Sequence, residues 1–373
     1  MKISREALRG YILEEVLAYL IRNTGYRLLV DAVQDPTELG WERNGLVVKG
    51  RGAVHQVDVL GELMWIPAFT YPLRLFVEAK FRGEKTGISI VRNAVGTMLD
   101  INQNNLPQST RANDGNPQLR PKYQYVGAIF STSGFSQPAM DMALAHGVSL
   151  IDLRIPGFQP LLEGITETAD TILRTFQQDQ TNGDGIPANG ENHPARGEFT
   201  QALRLALRRE LCTQPYMDFE DGEHVRQIKQ DLIEQITPLL RASVESAEEL
   251  GELFVGMGQG PYMIVLKADN RARFLEFTRN NPAHNVHITW SSRVNEGRTW
   301  FIEPQGYQNG YRLSFKLPDV IGDWIFSERN VLRAAMNAKQ KFFSNITIYR
   351  HENGNDSLIR LNFMPRDIDR RHL

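Results

Sequence analysis

The order of elements in residues 1–155 predicts an α/β protein, and three observations carry that expectation. Helix-like and strand-like stretches alternate: one helix, three or four strands, a helix, a strand, a helix and a strand. The late strands are near-continuous apolar runs, residues 123–130 above all, as strands covered on both faces read. Beyond a polar, glycine-rich stretch, residues 251–373 mix strands and helices again, so a separate α+β unit is expected there.

Residues 4–24 read as the first helix, with Ser4 as its cap, Glu6 in its first turn and Gly25 at its end. Ala7, Tyr11, Glu14, Ala18 and Ile21 fall on one stripe. Glu14 is the only charge on that stripe, and a carboxylate on a core-facing side wants a metal or a cation, unless it reaches water at the border. Glu15 lies off the stripe and is expected to tolerate substitution. Residues 26–30 suit a strand, and 31–44, with Pro36 and Gly40, suit a loop. Residues 45–48, 53–63 and 73–81 suit further strands. A helix over 87–105 presents Ile90, Val91, Ala94, Val95 and Met98 on a broad apolar face, and 106–122 reads as a surface loop. After the strand at 123–130, Ser136 caps a helix that stops at Gly147, and 148–153 is the last strand.

Within this order, two strands carry chemistry. In Leu73-Arg-Leu-Phe-Val-Glu78-Ala-Lys80-Phe, Glu78 and Lys80 share one face and the apolar residues share the other. Asp58 lies on the preceding strand. Two carboxylates beside a lysine can hold a hard divalent cation and orient a water, which is the equipment for cutting a phosphodiester. Taken alone, the triplet says little: chance supplies about one acid-x-Lys in a chain of this composition, and polar alternation usually marks a solvated face.

The ordered set says more. Leu13-Glu14 and Gly25-Tyr26 in and after the first helix, Asp58, Glu78-Ala-Lys80, and Ile129-Phe-Ser131-Thr-Ser133-Gly-Phe-Ser136 leading to Leu150-Ile-Asp152 resemble the Mrr-type branch of the restriction-endonuclease-like PD-(D/E)xK nucleases. The resemblance covers residues 1–155. It departs at Glu78, where many Mrr-type proteins carry Gln, and at Gly52-Ala-Val-His55-Gln56, whose His and Gln it does not explain. It implies a three-layer core, a central mixed sheet flanked by helices. It also implies a Mg²⁺-dependent endonuclease acting on DNA in restriction or defence, with Mn²⁺ able to substitute. Asp58, Glu78 and the Ala79 carbonyl would hold the metal, Glu14 would hold a second metal or a metal-bound water, and Lys80 would serve the attacking water. Gln56, Arg82, Lys85, Ser131 and Ser133 are the expected nucleic-acid contacts. Two alternatives stay open: an RNase or signal-activated nuclease, and a nucleic-acid-binding module without chemistry.

Composition sets outer bounds. Of 373 residues, 41% are hydrophobic and 23% charged, which suits two or three domains with real cores. The single cysteine, Cys212, excludes a disulfide framework within the chain and fits a reducing compartment. Glu14 and Glu15 interrupt the N-terminal apolar run, and no run reaches the ~20 residues of a membrane span, so a cytoplasmic protein is expected. Net charge is +2 over 1–155, −9 over 156–250 and +5 over 251–373, a mild bias toward a polyanion partner, which leaves room for a homo-oligomer.

Residues 156–198 read as a linker and 199–250 as a helical segment. In 251–373, the putting of a targeting or regulatory role on this unit rests on its charge and on its mixture of Trp290, Arg298, Trp300, Phe301, Tyr307, Tyr311 and Arg312. That mixture suits a base-stacking surface or, more simply, a core with charged edges. Gly256, Gly258 and Gly260 read as a turn or bulge, since a phosphate-binding loop needs a helix after it. His284 and His287 read as hydrogen-bonded rather than metal-binding.

Overall fold

The computed structural model describes residues 3–42, 45–65, 69–104, 122–178, 196–211, 230–258, 263–291, 299–307, 310–317, 319–352 and 354–364. The expected loop at 106–122 lies almost wholly outside them, as do 179–195 of the expected linker, Cys212, Gly260 and Arg298.

The architecture is mixed α/β. Helix α1 (Arg5–Ile21) starts at Ser4, whose hydroxyl accepts from Ala7 N at 3.2 Å. Strand β1 (Tyr26–Leu29) follows, then a three-stranded sheet of β2 (Leu39–Glu42), β3 (Gly45–Lys49) and β4 (Val54–Gln56). Strand β2 falls in the stretch read as a loop. It is short and contains Gly40, whose missing side chain leaves room for Val47, so its pairing with β3 outweighs its weak local pattern. Strands β5 (Val59–Leu63) and β6 (Leu73–Lys80), helix α2 (Ile88–Asn102), strand β7 (Gln124–Ser131), helix α3 (Gln137–His146) and strand β8 (Ser149–Asp152) complete a mixed sheet in the order β1-β5-β6-β7-β8. Its β6–β7 and β7–β8 pairs are parallel and its β1–β5 and β5–β6 pairs antiparallel. Gly147 ends α3 with φ 68°, the left-handed conformation that glycine adopts without penalty.

Helices cover both faces of this sheet. On one, α2 and α3 bury Val91, Ala94, Val95, Ala139 and Ala143 against Ile129. On the other, α1 packs over Val59, Val77, Ala79 and Phe130, and four more helices complete that core: α4 (Gln159–Gln178), α5 (Arg196–Glu210), α6 (Gln230–Ile236) and α7 (Arg241–Leu250). This corrects the linker reading. Residues 159–178 are a helix whose Leu161, Ile165, Ala169 and Ile172 are fully buried, and the 199–250 helices share the core of the first 155 residues. Within the helical segment, α6 and α7 are separated by a 3₁₀ turn, Thr237–Leu240, because Pro238 cannot continue the α-helical hydrogen bonds.

Among the described residues after α7, seven strands close a barrel, ordered β10-β13-β12-β11-β15-β14-β9. The strands are β9 (Phe254–Met257), β10 (Met263–Ala268), β11 (Ala283–Trp290), β12 (Trp300–Pro304), β13 (Leu313–Phe315), β14 (Asn345–Glu352) and β15 (Asn355–Phe363). Helices α8 (Arg271–Asn280), α9 (Asp319–Ser327) and α10 (Val331–Phe342) accompany them. Gly256 is inside β9 rather than in a turn: a Cβ there would press on Ile264 and Ile346 of the flanking strands, so close strand approach requires it. Trp300 and Tyr311 are core residues, while Arg312 pairs with Glu303 at the edge. His284 is buried, and its Nδ1 donates to Asn281 O, so its Nε2 accepts from the Tyr311 hydroxyl at 2.6 Å. His287 donates from Nδ1 to Met364 O.

The barrel docks directly on the sheet unit. Leu253 N donates to Leu20 O, His351 N donates to Asn23 O, and Lys316 Nζ lies 2.8 Å from Asp152. Gly25 has φ 88°, and a Cβ there would overlap the Tyr349 ring that rests against it.

Candidate functional site

The site forms where the chain leaves one sheet and enters another. Residues 53–63, read as one strand, are two: β4 pairs with β3, and β5 pairs with β1 and β6. Val57 N still bonds to Leu46 O in the first sheet, and Asp58 N already bonds to Val77 O in the second. Asp58 is therefore held at a break between strands. The Val59–Val77 pair makes Asp58 the next residue along, opposite Glu78. Asp58 Oδ2 accepts from Ala79 N at 2.8 Å. What Ala79 visibly contributes is thus a donor. Two residues on, Lys80 Nζ lies 2.8 Å from Glu78 Oε1.

Helix α1 brings Glu14 to this cluster, and α5 brings a group that the sequence reading passed over. Arg204 bonds Glu14 through Nη2 and Glu15 through Nη1, and Arg208 bonds Glu15 twice, through Nε at 2.8 Å and Nη2 at 2.9 Å. The cation that Glu14 meets is a guanidinium. Glu15 is 4% exposed and locked between two arginines, which overturns its reading as a position tolerant of substitution. A signal for Arg204 and Arg208 was present: they stand four apart among Ala202, Leu203, Leu205, Ala206 and Leu207, a stretch otherwise apolar.

The charges are unevenly compensated. Burial pushes Asp58 above the usual carboxylate range, Lys80 and the Ala79 N–H oppose it, and Glu78 adds to it. Burial pushes Glu14 up to about 8, against Arg204 and with Asp58 adding. Burial acts on Glu15 too, but Arg208 and Arg204 outweigh it and hold Glu15 below its ordinary value. Beside Asp58 lies a cavity of about 500 Å³, whose wall includes Gln56, Gln201, Arg204 and Arg208.

The expected contact residues divide. Gln56, Arg82 and Lys85 are exposed. Ser131 is not available: it is fully buried, its hydroxyl shared with Thr86 at 2.8 Å and bonded to Gly134 O at 3.0 Å, so it ties the 82–87 loop to the 131–136 loop. Ser133 donates to Glu84 O in the same tie. His55 is accounted for as well, with Nε2 2.8 Å from Asp100, whose carboxylate also caps Gly52 N and Ala53 N.

Among the described residues, no three His, Cys, Asp or Glu side chains converge as a ready-made metal cage. Asp58 and Glu78 nevertheless suit Mg²⁺, which binds through one or two carboxylates and keeps waters and substrate oxygens for the rest. Burial is what chiefly keeps Asp58 from ionising freely, with Glu78 adding to it, and a bound cation would favour its charged form.

No family model and no curated protein matches the chain. Among solved structures it is similar to a crystal structure described as a protein of unknown function, AF1548, at 14% identity over 62% of this chain and 99% of that one, with a TM-score of 0.30. No helix among the described residues is long and apolar enough to cross a membrane.

Proposed function

We propose that the chain is a metal-dependent endonuclease of the Mrr-type restriction class, with a restriction-endonuclease-like three-layer core, cutting DNA in the cytoplasm. The observation that carries this reading is the convergence of Asp58, Glu78 and Lys80 at a strand break, with burial holding the Asp58 carboxyl up. A mixed sheet with helices on both faces supports the fold assignment.

Asp58 and Glu78 would hold Mg²⁺, which when bound supplies Lewis-acid polarisation of the phosphate and a more acidic water. The Ala79 N–H fixes Asp58 in one orientation, leaving its other oxygen for the cation. Lys80, ion-paired with Glu78, is an ammonium that donates. It orients the attacking water and offsets charge growing on the phosphate oxygens, and it can take a proton only after losing one. Glu14 acts through Arg204, setting the guanidinium beside Asp58. Gln56, Arg82 and Lys85, all exposed, would contact the nucleic acid.

The test is incubation with supercoiled plasmid and with a matched RNA, each with Mg²⁺ and with EDTA. Metal-dependent nicking that Asp58→Ala removes supports the reading. RNA cleavage alone would make the chain an RNase. Binding without cleavage would favour the non-catalytic module, for which the engagement of Glu14 by Arg204 is the supporting observation.

A further inference from the structure

We propose that the cleft between the five-stranded sheet and the barrel is a binding site for an uncharged, largely apolar small molecule that brings hydrogen-bonding groups to Tyr26 and Ser149. This inference does not rest on the nuclease reading.

The cleft encloses about 440 Å³, within the range of small-molecule pockets, and lies between two structural units, where such pockets concentrate. Leu63, Leu73 and Val126 form its wall on the sheet side, Val255 and Met263 on the barrel side. No charged side chain among the described residues lines it, so a nucleotide or other anion would find no partner for its charge. That absence selects for an uncharged occupant.

Four hydroxyl-bearing residues reach the cavity, and two of them are already satisfied. Thr24 donates to Ile21 O, and Tyr349 donates to Asp356. The Tyr26 and Ser149 hydroxyls have no hydrogen-bond partner among the described residues. Ser149 is only 7% exposed, and burial alone pushes the Tyr26 hydroxyl up to about 12. Two hydroxyls that line an otherwise apolar cavity and bond to no described residue are where a ligand's polar groups would bind. Trp65, half-exposed, stands at the rim with its ring 6.3 Å from that of Tyr349.

The experiment uses the full chain and the neutral fluorophore N-phenyl-1-naphthylamine, with naphthalene and 1-naphthol as competitors. Saturable binding at one site is expected, with 1-naphthol the stronger competitor. Val255→Trp, which fills the cleft, should weaken fluorophore binding at least tenfold. Tyr26→Phe and Ser149→Ala should each reduce the advantage of 1-naphthol over naphthalene by about three- to tenfold, the worth of one hydrogen bond. Absence of saturable binding, or binding that all three variants leave unchanged, would overturn the site. If the Val255→Trp melting curve shows an unfolded chain, the hydroxyl variants decide, since each removes one oxygen and keeps the packing.

Discussion

The two ends of strand β6 carry buried charge in opposite states. At its start, Arg74 is 1% exposed and fully matched. It bonds Asp35 at 2.7 Å, Glu62 through two nitrogens at 2.7 and 3.0 Å, and the Tyr125 hydroxyl at 3.0 Å, while Tyr123 lies against its guanidinium. Burial acts on Asp35, yet Thr37 and Arg74 hold it below its usual value. At the end of the same strand, Asp58 and Glu14 stay above theirs despite Lys80 and Arg204. A matched cluster anchors the fold; an unmatched one stores a demand that substrate or cation can meet. Asp35 and Glu14 are about equally buried, at 8% and 7% exposed, so burial alone does not separate structure from function.

The largest expected contrast is in activity. Asp58→Ala, Glu78→Ala and Lys80→Ala should each slow plasmid cleavage by about 10²- to 10⁴-fold with melting curves near that of the parent. Any of the three cutting at the parental rate leaves the mechanism. Next comes Arg74→Met, expected to cost about 3–5 kcal/mol in denaturant unfolding, because Asp35 and Glu62 lose their shared cation. A loss below ~1 kcal/mol would mean that the start of β6 is no better matched than its end.

Titration sharpens the comparison further. Glu14 is raised in the folded chain, so its contribution is fully present below the unfolded value near 4.5 and is lost as pH rises through about 8. Glu14→Gln should therefore gain stability relative to the parent between pH 5 and 8.5, by of order 1–3 kcal/mol. Asp35 is the reverse case: depressed when folded, it stabilises above its unfolded value and loses that contribution as pH falls below ~4. Unfolding curves for Glu14→Gln and Asp35→Asn across pH 3–9 should slope in opposite senses against the parent; parallel curves would erase the distinction. The last contrast is Asp58→Asn, the one variant predicted to stabilise while it inactivates, because burial holds the Asp58 carboxyl above its ordinary value. A destabilised Asp58→Asn chain would place Asp58 with the matched group.

Local chemistry in the sequence determined much of this. The Ser4 cap, the Gly147 stop, the period-two pattern of residues 73–81 and the apolar run at 123–130 each specify an element through contacts within a few residues, and those elements form to within a residue of these bounds. The pairing of Glu78 with Lys80 was legible for the same reason, since residues two apart on a strand share a face. Tertiary structure alone decided the break at Asp58, because nothing local tells a chain that its two halves will pair with different partners. It also decided the company of Glu14. Arg204 is 190 residues away in sequence, and only the packing of α5 on α1 makes the two neighbours. The union of helices α5, α6 and α7 with the first core has that same origin: helices distant along the chain cover the same sheet face, and coverage is a property of the assembled layers.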